Sequence, residues 1–72
     1  MKKTKSSVYR ITELVGTSTE SWEDAAKNAV QIAARSLREL RVAEITKLDM
    51  AIDNGKVVAY RARVSLSFKY EK

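Results

Sequence analysis

The longest regular run of alternating polar and apolar positions, Ala43 to Tyr70, reads as one β-hairpin. At its centre stands Asn54-Gly55, the pair that best tolerates the positive φ required at both central residues of a type I′ turn. That turn sets a register. With Asp53 opposite Lys56, Ile52 faces Val57, Asp49 faces Tyr60, Leu48 faces Arg61, Thr46 faces Arg63, Ile45 faces Val64, Glu44 faces Ser65 and Ala43 faces Leu66. Cross-strand partners share a side of the sheet. One side then carries Ala43, Ile45, Ala51, Val58, Tyr60, Ala62, Val64, Leu66 and Phe68, interrupted by Lys47 and Asp49, and is the expected core side. The other carries Val42, Glu44, Thr46, Leu48, Met50, Ile52, Arg61, Arg63, Ser65, Ser67 and Lys69. It is apolar near the turn and charged away from it, and Leu48, Met50, Ile52 and Val57 make a patch that a lone protomer leaves wet.

Before the hairpin, Val8 to Val15 alternates loosely and reads as a strand. Gly16-Thr17-Ser18-Thr19 reads as a turn leading into a helix. Ser21 is the expected N-cap, with Asp24 as a capping-box variant and Glu23 at the positive end of the helix dipole; Thr19 and Ser18 are the alternative caps. Beyond it Trp22, Ala25, Ala26, Ala29, Val30, Ala33, Leu37 and Leu40 recur at helical spacing. The pattern predicts one amphipathic helix from Ser21 to Leu40, with Arg35, Arg38 and Arg41 at the negative end of its dipole. Its alanine-rich stripe lets a sheet approach closely. Strand, helix and hairpin together predict an α+β domain: one helix lying in a curved, three-stranded antiparallel sheet. Residues 1–7 are expected to form a disordered basic tail, and 8–72 a single domain.

A chain of 72 residues buries little apolar surface, and it contains neither cysteine nor histidine, so disulfides, zinc sites and iron–sulfur clusters are excluded as supports. Self-association is left as the expected support. No apolar run approaches the roughly 20 residues of a membrane span, and the N-terminus lacks the apolar segment of a signal peptide. A soluble cytoplasmic protein is the expectation. The net charge of +5 invites a nucleic-acid-binding reading, but without Lys2, Lys3 and Lys5 it is +2. No basic stripe with interleaved aromatics supports that reading.

Candidate chemistry is sparse. Serine nucleophiles lack a histidine or cysteine partner, and the pair Asp49 and Asp53, on one face of the same strand, reads more simply as turn solubility and an ion pair with Lys47 or Lys56. No enzymatic activity is expected. Gly16 and Gly55 are the only glycines, so no phosphate cradle exists. Trp22 reads as a staple closing the helix N-terminus onto the first strand, with ligand stacking as the alternative. Arg61 and Arg63, on the side of Glu44 and Thr46, read either as an ion-pair face or as a clamp for an anion or aromatic ring.

These segments in this order resemble the dodecin family: Val8-Tyr9, Glu13 to Ser18, Ser21-Trp22-Glu23-Asp24-Ala25-Ala26, Leu37 to Leu40, and Tyr60 to Phe68. The resemblance covers nearly all of the chain after the tail. It implies a strand–helix–strand–strand protomer assembled into a hollow homododecamer of cubic symmetry, binding flavin without catalysis. In flavin-binding members, paired isoalloxazine rings lie between symmetry-related tryptophans, and a glutamine of the last strand bonds the ring edge. Here Val42 stands in the tryptophan's place, Arg61 in the glutamine's, and Asp49 where some members carry arginine. The resemblance is therefore to the subgroup that lacks the flavin tryptophan, for which calcium binding is expected. Val42, Asp49 and Arg61 are the pocket equivalents, with Glu44 and Arg63 beside them, and Glu44, Asp49 and Asp53 are the candidate calcium ligands. The expected function is a non-enzymatic shell with altered or lost binding of FMN or riboflavin, holding a cation or another small ligand. A flavin-storage role is the alternative.

Overall fold

The computed structural model describes residues 8–69. The expected tail at 1–7 and residues 70–72 lie outside the described residues. Within them the order is β1 (Tyr9–Ser18), α1 (Trp22–Ala34), β2 (Leu40–Asp53) and β3 (Lys56–Lys69). The three strands form one antiparallel sheet in the order β1-β3-β2, so the last strand is central and both others are edges. Asn54 at φ 54° and Gly55 at φ 77° make the hairpin turn as expected.

α1 begins where the sequence places it. Ser21 is the N-cap, its hydroxyl accepting from the Asp24 amide at 3.0 Å. The Asp24 carboxylate does not close a capping box; it accepts from the Ser18 hydroxyl at 2.7 Å, and that hydroxyl accepts in turn from the Glu20 amide at 2.8 Å. Ser18 thus belongs to β1. The expected turn at Gly16 to Ser18 is strand, paired through Ala62, Arg61 and Tyr60 of β3.

Gly16 is in that strand because the helix leaves no room for anything larger. A β-carbon there would sit 2.0 Å from the Ala25 carbonyl oxygen and 3.0 Å from the Ala29 β-carbon. Ala25, Ala29 and Ala33 form the buried stripe of α1, and they meet Ala62, Val64 and Leu66 of β3. The core is thin: Leu66 and Val64 are its largest fully buried side chains.

α1 ends at Ala34, six residues before the expected Leu40, and has no basic residue in its last turn; of the anticipated dipole partners Arg35 is the C-cap, and Arg38 and Arg41 lie beyond the helix. The sheet overrides the helical periodicity here. The Arg35 and Ser36 amides tighten onto Ile32 and Ala33 carbonyls, Glu39 adopts φ 59°, and its carbonyl accepts from the Lys69 amide at 3.1 Å, starting β2 alongside the end of β3. Leu37 and Leu40 still pack on the core from this connection, which is why the apolar spacing ran on past the helix.

The hairpin register agrees with expectation at both ends and differs between them. Asp53 pairs with Lys56 and Ile52 with Val57; Ile45, Glu44 and Ala43 pair with Val64, Ser65 and Leu66. Irregularities between Ala51 and Ile52 and between Ile45 and Lys47 displace the segment in the middle, so that Asp49 faces Arg61, Leu48 faces Ala62 and Met50 faces Tyr60. Leu48 and Met50 consequently lie on the helix side. Lys47, Asp49 and Ala51 lie on the outer side, the reverse of the expected assignment. Leu48, Met50, Ile52 and Val57 are exposed nonetheless, because a 13-residue helix is about 20 Å long and the 14-residue strands run about 46 Å. α1 packs chiefly on β1 and β3, leaving an apolar groove of about 280 Å³ between Ala26, Val30, Ala43, Ile45 and Val64.

Replacing Gly16 with alanine is expected to destabilise the fold by about 2 kcal/mol or more, since the obstruction is helix backbone rather than a movable side chain. Urea denaturation followed by circular dichroism measures it; an unchanged midpoint would show that the helix can lift without cost.

Candidate ligand-binding face

The side of the sheet away from α1 is built by alternate positions of β3, namely Arg61, Arg63, Ser65, Ser67 and Lys69, with their partners on the two edge strands. From β2 these are Asp49, Lys47, Glu44 and Val42; from β1 they are Thr17, Val15, Glu13, Ile11 and Tyr9. Ile11 and Val42 are 62% and 58% exposed, so this outer face carries apolar side chains at one end and charge in the middle.

Its best-defined feature is a two-point ion pair. Arg61 Nε donates to Asp49 Oδ1 at 2.7 Å and a terminal guanidinium nitrogen donates to Oδ2 at 3.0 Å, across directly opposed positions. The bonded guanidinium, reinforced by the charges of Arg61 and Arg63, holds the Asp49 carboxyl below the usual aspartate range against a smaller opposing effect of desolvation. Asp49 in turn raises the basicity of Arg61. The expected partners of Asp49, Lys47 or Lys56, are not the ones it has: the shifted register sets Asp49 opposite Arg61 instead.

Asp49 is held from the other side as well. The indole N–H of Trp22 donates to the Asp49 main-chain oxygen at 2.9 Å, and the Trp22 ring meets Tyr60 edge-on at 5.1 Å between centroids. Trp22 therefore docks onto the hairpin, not onto the first strand as a staple would. Arg63 lies beside the pair, opposite Lys47, with its carbonyl accepting from the Thr46 hydroxyl at 3.3 Å.

The remaining expected site residues share the face but not a single point on it. Val42 pairs with Ser67, six residues along β3 from Arg61, a separation of about 20 Å at strand rise. Glu44 pairs with Ser65, and Asp53 with Lys56 at the turn. Among the described residues no three carboxylates gather closely enough to hold a metal ion. One position was missed: Glu13 of β1 flanks Ser65 on the side opposite Glu44. Nothing in the sequence announces that pairing, because it depends on which strand lies at the centre.

With this geometry in hand, comparison with known proteins is decisive: residues 8–71 match the dodecin family model. The chain belongs to the dodecin family. It is 44% identical over 63 residues to calcium dodecin of Mycobacterium tuberculosis, covering 88% of this chain and 89% of that one. The structure of that calcium dodecin, described as calcium-chelating with a novel calcium-binding site, superposes with a TM-score of 0.80 at 45% identity over 90% of this chain and 93% of its own. Dodecin from Streptomyces coelicolor superposes at 0.88 with 35% identity, over 96% and 99% of the two chains. The resemblance drawn from the sequence segments, and the antiparallel three-stranded sheet with one helix, are thereby established. No helix among the described residues is long and apolar enough to cross a membrane.

The lowered pKa of Asp49 fixes a pH dependence. A depressed folded-state value means that the pair contributes stability above the unfolded-state value and loses it as pH falls through the folded one, below about pH 4. Carboxyl NMR titration is expected to place Asp49 below ordinary aspartates, and Arg61→Ala to move it upward; an unmoved midpoint would mean the pair is not formed in solution.

Proposed function

We propose that this dodecin is a non-enzymatic shell protein, assembled as a hollow homododecamer, in which flavin stacking has been lost and a cation, with calcium foremost, is the ligand. The observation that carries the reading is Val42. It is exposed on the outer face, in a strand that contains no aromatic residue, at the position where the family resemblance implies the tryptophan of flavin-binding members. Aromatic stacking is worth about 0.5–1.5 kcal/mol per contact beyond area burial, and a ring held between two such walls loses it twice. Arg61 removes the ring-edge partner too, since its guanidinium is engaged by Asp49.

Self-association follows from what a lone protomer leaves uncovered. Outer-face Ile11, Val15 and Val42, together with Leu48, Met50 and Ile52 on the overhang, are left exposed among the described residues. Calcium takes six to eight oxygen ligands, more than one chain brings together, so the site gathers Glu44, Asp49 or Asp53 from symmetry-related copies. The similarity to calcium dodecin supports calcium over other cations. The basic nucleic-acid-binding alternative draws no support from the outer face, where Glu13, Glu44 and Asp49 alternate with the cations. The cytoplasm remains the proposed compartment.

Native mass spectrometry of the purified protein is expected to give a twelve-subunit mass; a monodisperse, cooperatively folded monomer would refute the assembly. Riboflavin fluorescence is expected to stay unquenched at submicromolar protein, and Val42→Trp to bring quenching with affinity about tenfold or more higher. A wild-type protein that purifies yellow would sink the loss of flavin binding.

A further inference from the structure

We propose that the cavity beneath the α1–β2 connection binds an organic phosphate, a phosphate monoester carried on a small apolar body, with Arg38 and Arg10 as its charge partners. The cavity measures about 280 Å³. Arg10 of β1, Ser36 and Arg38 of the connection and Lys69 of β3 give it donors, while Leu37 and Phe68 give it an apolar side. Phe68 lies seven residues along β3 from Arg61, about 23 Å at strand rise. The site is therefore separate from the outer-face pair and does not depend on the cation reading.

Two features of the fold make this cavity. Arg10 pairs with Phe68, so it shares the side of the sheet that carries Leu66 and Val64. An arginine is tolerated on that side because α1 ends at Ala34, and the connection takes its place over this end of the sheet. The connection is then turned into β2 by Glu39 at φ 59°, whose carbonyl accepts from the Lys69 amide at 3.1 Å.

The charge of the cavity is positive and in part unspent. Arg38 makes no ion pair or side-chain hydrogen bond among the described residues, and the Ser36 hydroxyl makes none either. The groups that would repel an anion are already engaged. Glu39, the one carboxylate of the lining, is paired with Arg41 at 2.6 Å. The last carbonyls of α1, at Ile32 and Ala33, accept from the Arg35, Ser36 and Leu37 amides. Guanidinium donors from a strand and from the facing connection, with a hydroxyl beside them, suit the several oxygens of a phosphate better than the two of a carboxylate. The half-buried Phe68 offers a ring or chain attached to that phosphate an apolar contact.

Phenyl phosphate titrated by calorimetry into the assembled full-length protein tests this, with inorganic phosphate, benzoate and phenol in parallel. Phenyl phosphate is expected to bind most tightly, inorganic phosphate and benzoate each more weakly, and phenol not at all. Arg38→Gln and Arg10→Gln are each expected to weaken phenyl phosphate about tenfold, the scale of a lost charge-assisted hydrogen bond. Arg38→Lys is expected to fall between Arg38→Gln and wild type. Arg63→Gln, which removes an equal charge from the outer face, is expected to stay within about twofold of wild type. No binding of phenyl phosphate by the wild-type protein would overturn the site and leave the cation reading standing. An equal loss from Arg63→Gln would overturn it too, reducing the effect to general electrostatics, and benzoate binding as tightly as phenyl phosphate would overturn the choice of phosphate.

Discussion

The close approach of helix to strand at Gly16 is the constraint from which the rest of the protomer follows. With hydrogen in place of a side chain, β1 lets the Ala25 carbonyl come within what would be a steric collision for any other residue. The stripe of Ala25, Ala29 and Ala33 then lies almost on the sheet, and only small or branched aliphatic residues are needed to fill the gap. A helix seated this low over β1 and β3 cannot also reach across β2. The short helix and long hairpin therefore leave an apolar overhang and an uncovered edge, in a chain with no cysteine to compensate by cross-linking. Covering that surface with copies of itself is the remaining physical solution.

Much of this was legible in the chain. Asn54-Gly55 specified the turn, Ser21 the helix start, and the alanine spacing the face that packs. What failed had identifiable causes. The apolar spacing carried the helix to Leu40 because Leu37 and Leu40 do pack on the core, but from a connection that the pairing of β2 with Phe68 pulls out of helical geometry. Gly16 was read as a turn because its role is set by the helix lying above it, a contact local pattern does not contain.

The middle of the hairpin is more instructive. A bulge leaves the alternation within each strand apparently intact and changes only what it faces, and two that cancel restore the register beyond them. The signal was nonetheless present: Lys47 and Asp49 broke the expected core side at successive positions, while Leu48 and Met50 supplied apolar residues at the intervening ones. A reversal of parity on one strand alone is what an extra residue near Thr46 produces. Those charges mark the shift near Thr46; the irregularity that sets Asp49 opposite Arg61 lies on the turn side, between Ala51 and Ile52, where the sequence carries no such break.

The same alternation explains how relatives can share a fold while their ligands diverge. Along β3, Ala62, Val64 and Leu66 face the helix and set the core, while Arg61, Arg63 and Ser65 face away and touch none of it. A substitution at an outward position changes the chemistry offered to a ligand without disturbing the packing that seats α1. Superposition with the Streptomyces coelicolor protein at a TM-score of 0.88 and 35% identity is consistent with that division. On such a scaffold, a substitution at an outward position such as Val42 or Arg61 leaves the buried stripe of Ala25, Ala29 and Ala33 and its partners on β3 in place. What it alters is the outer face, where the two-point pair of Asp49 with Arg61 stands among exposed apolar side chains.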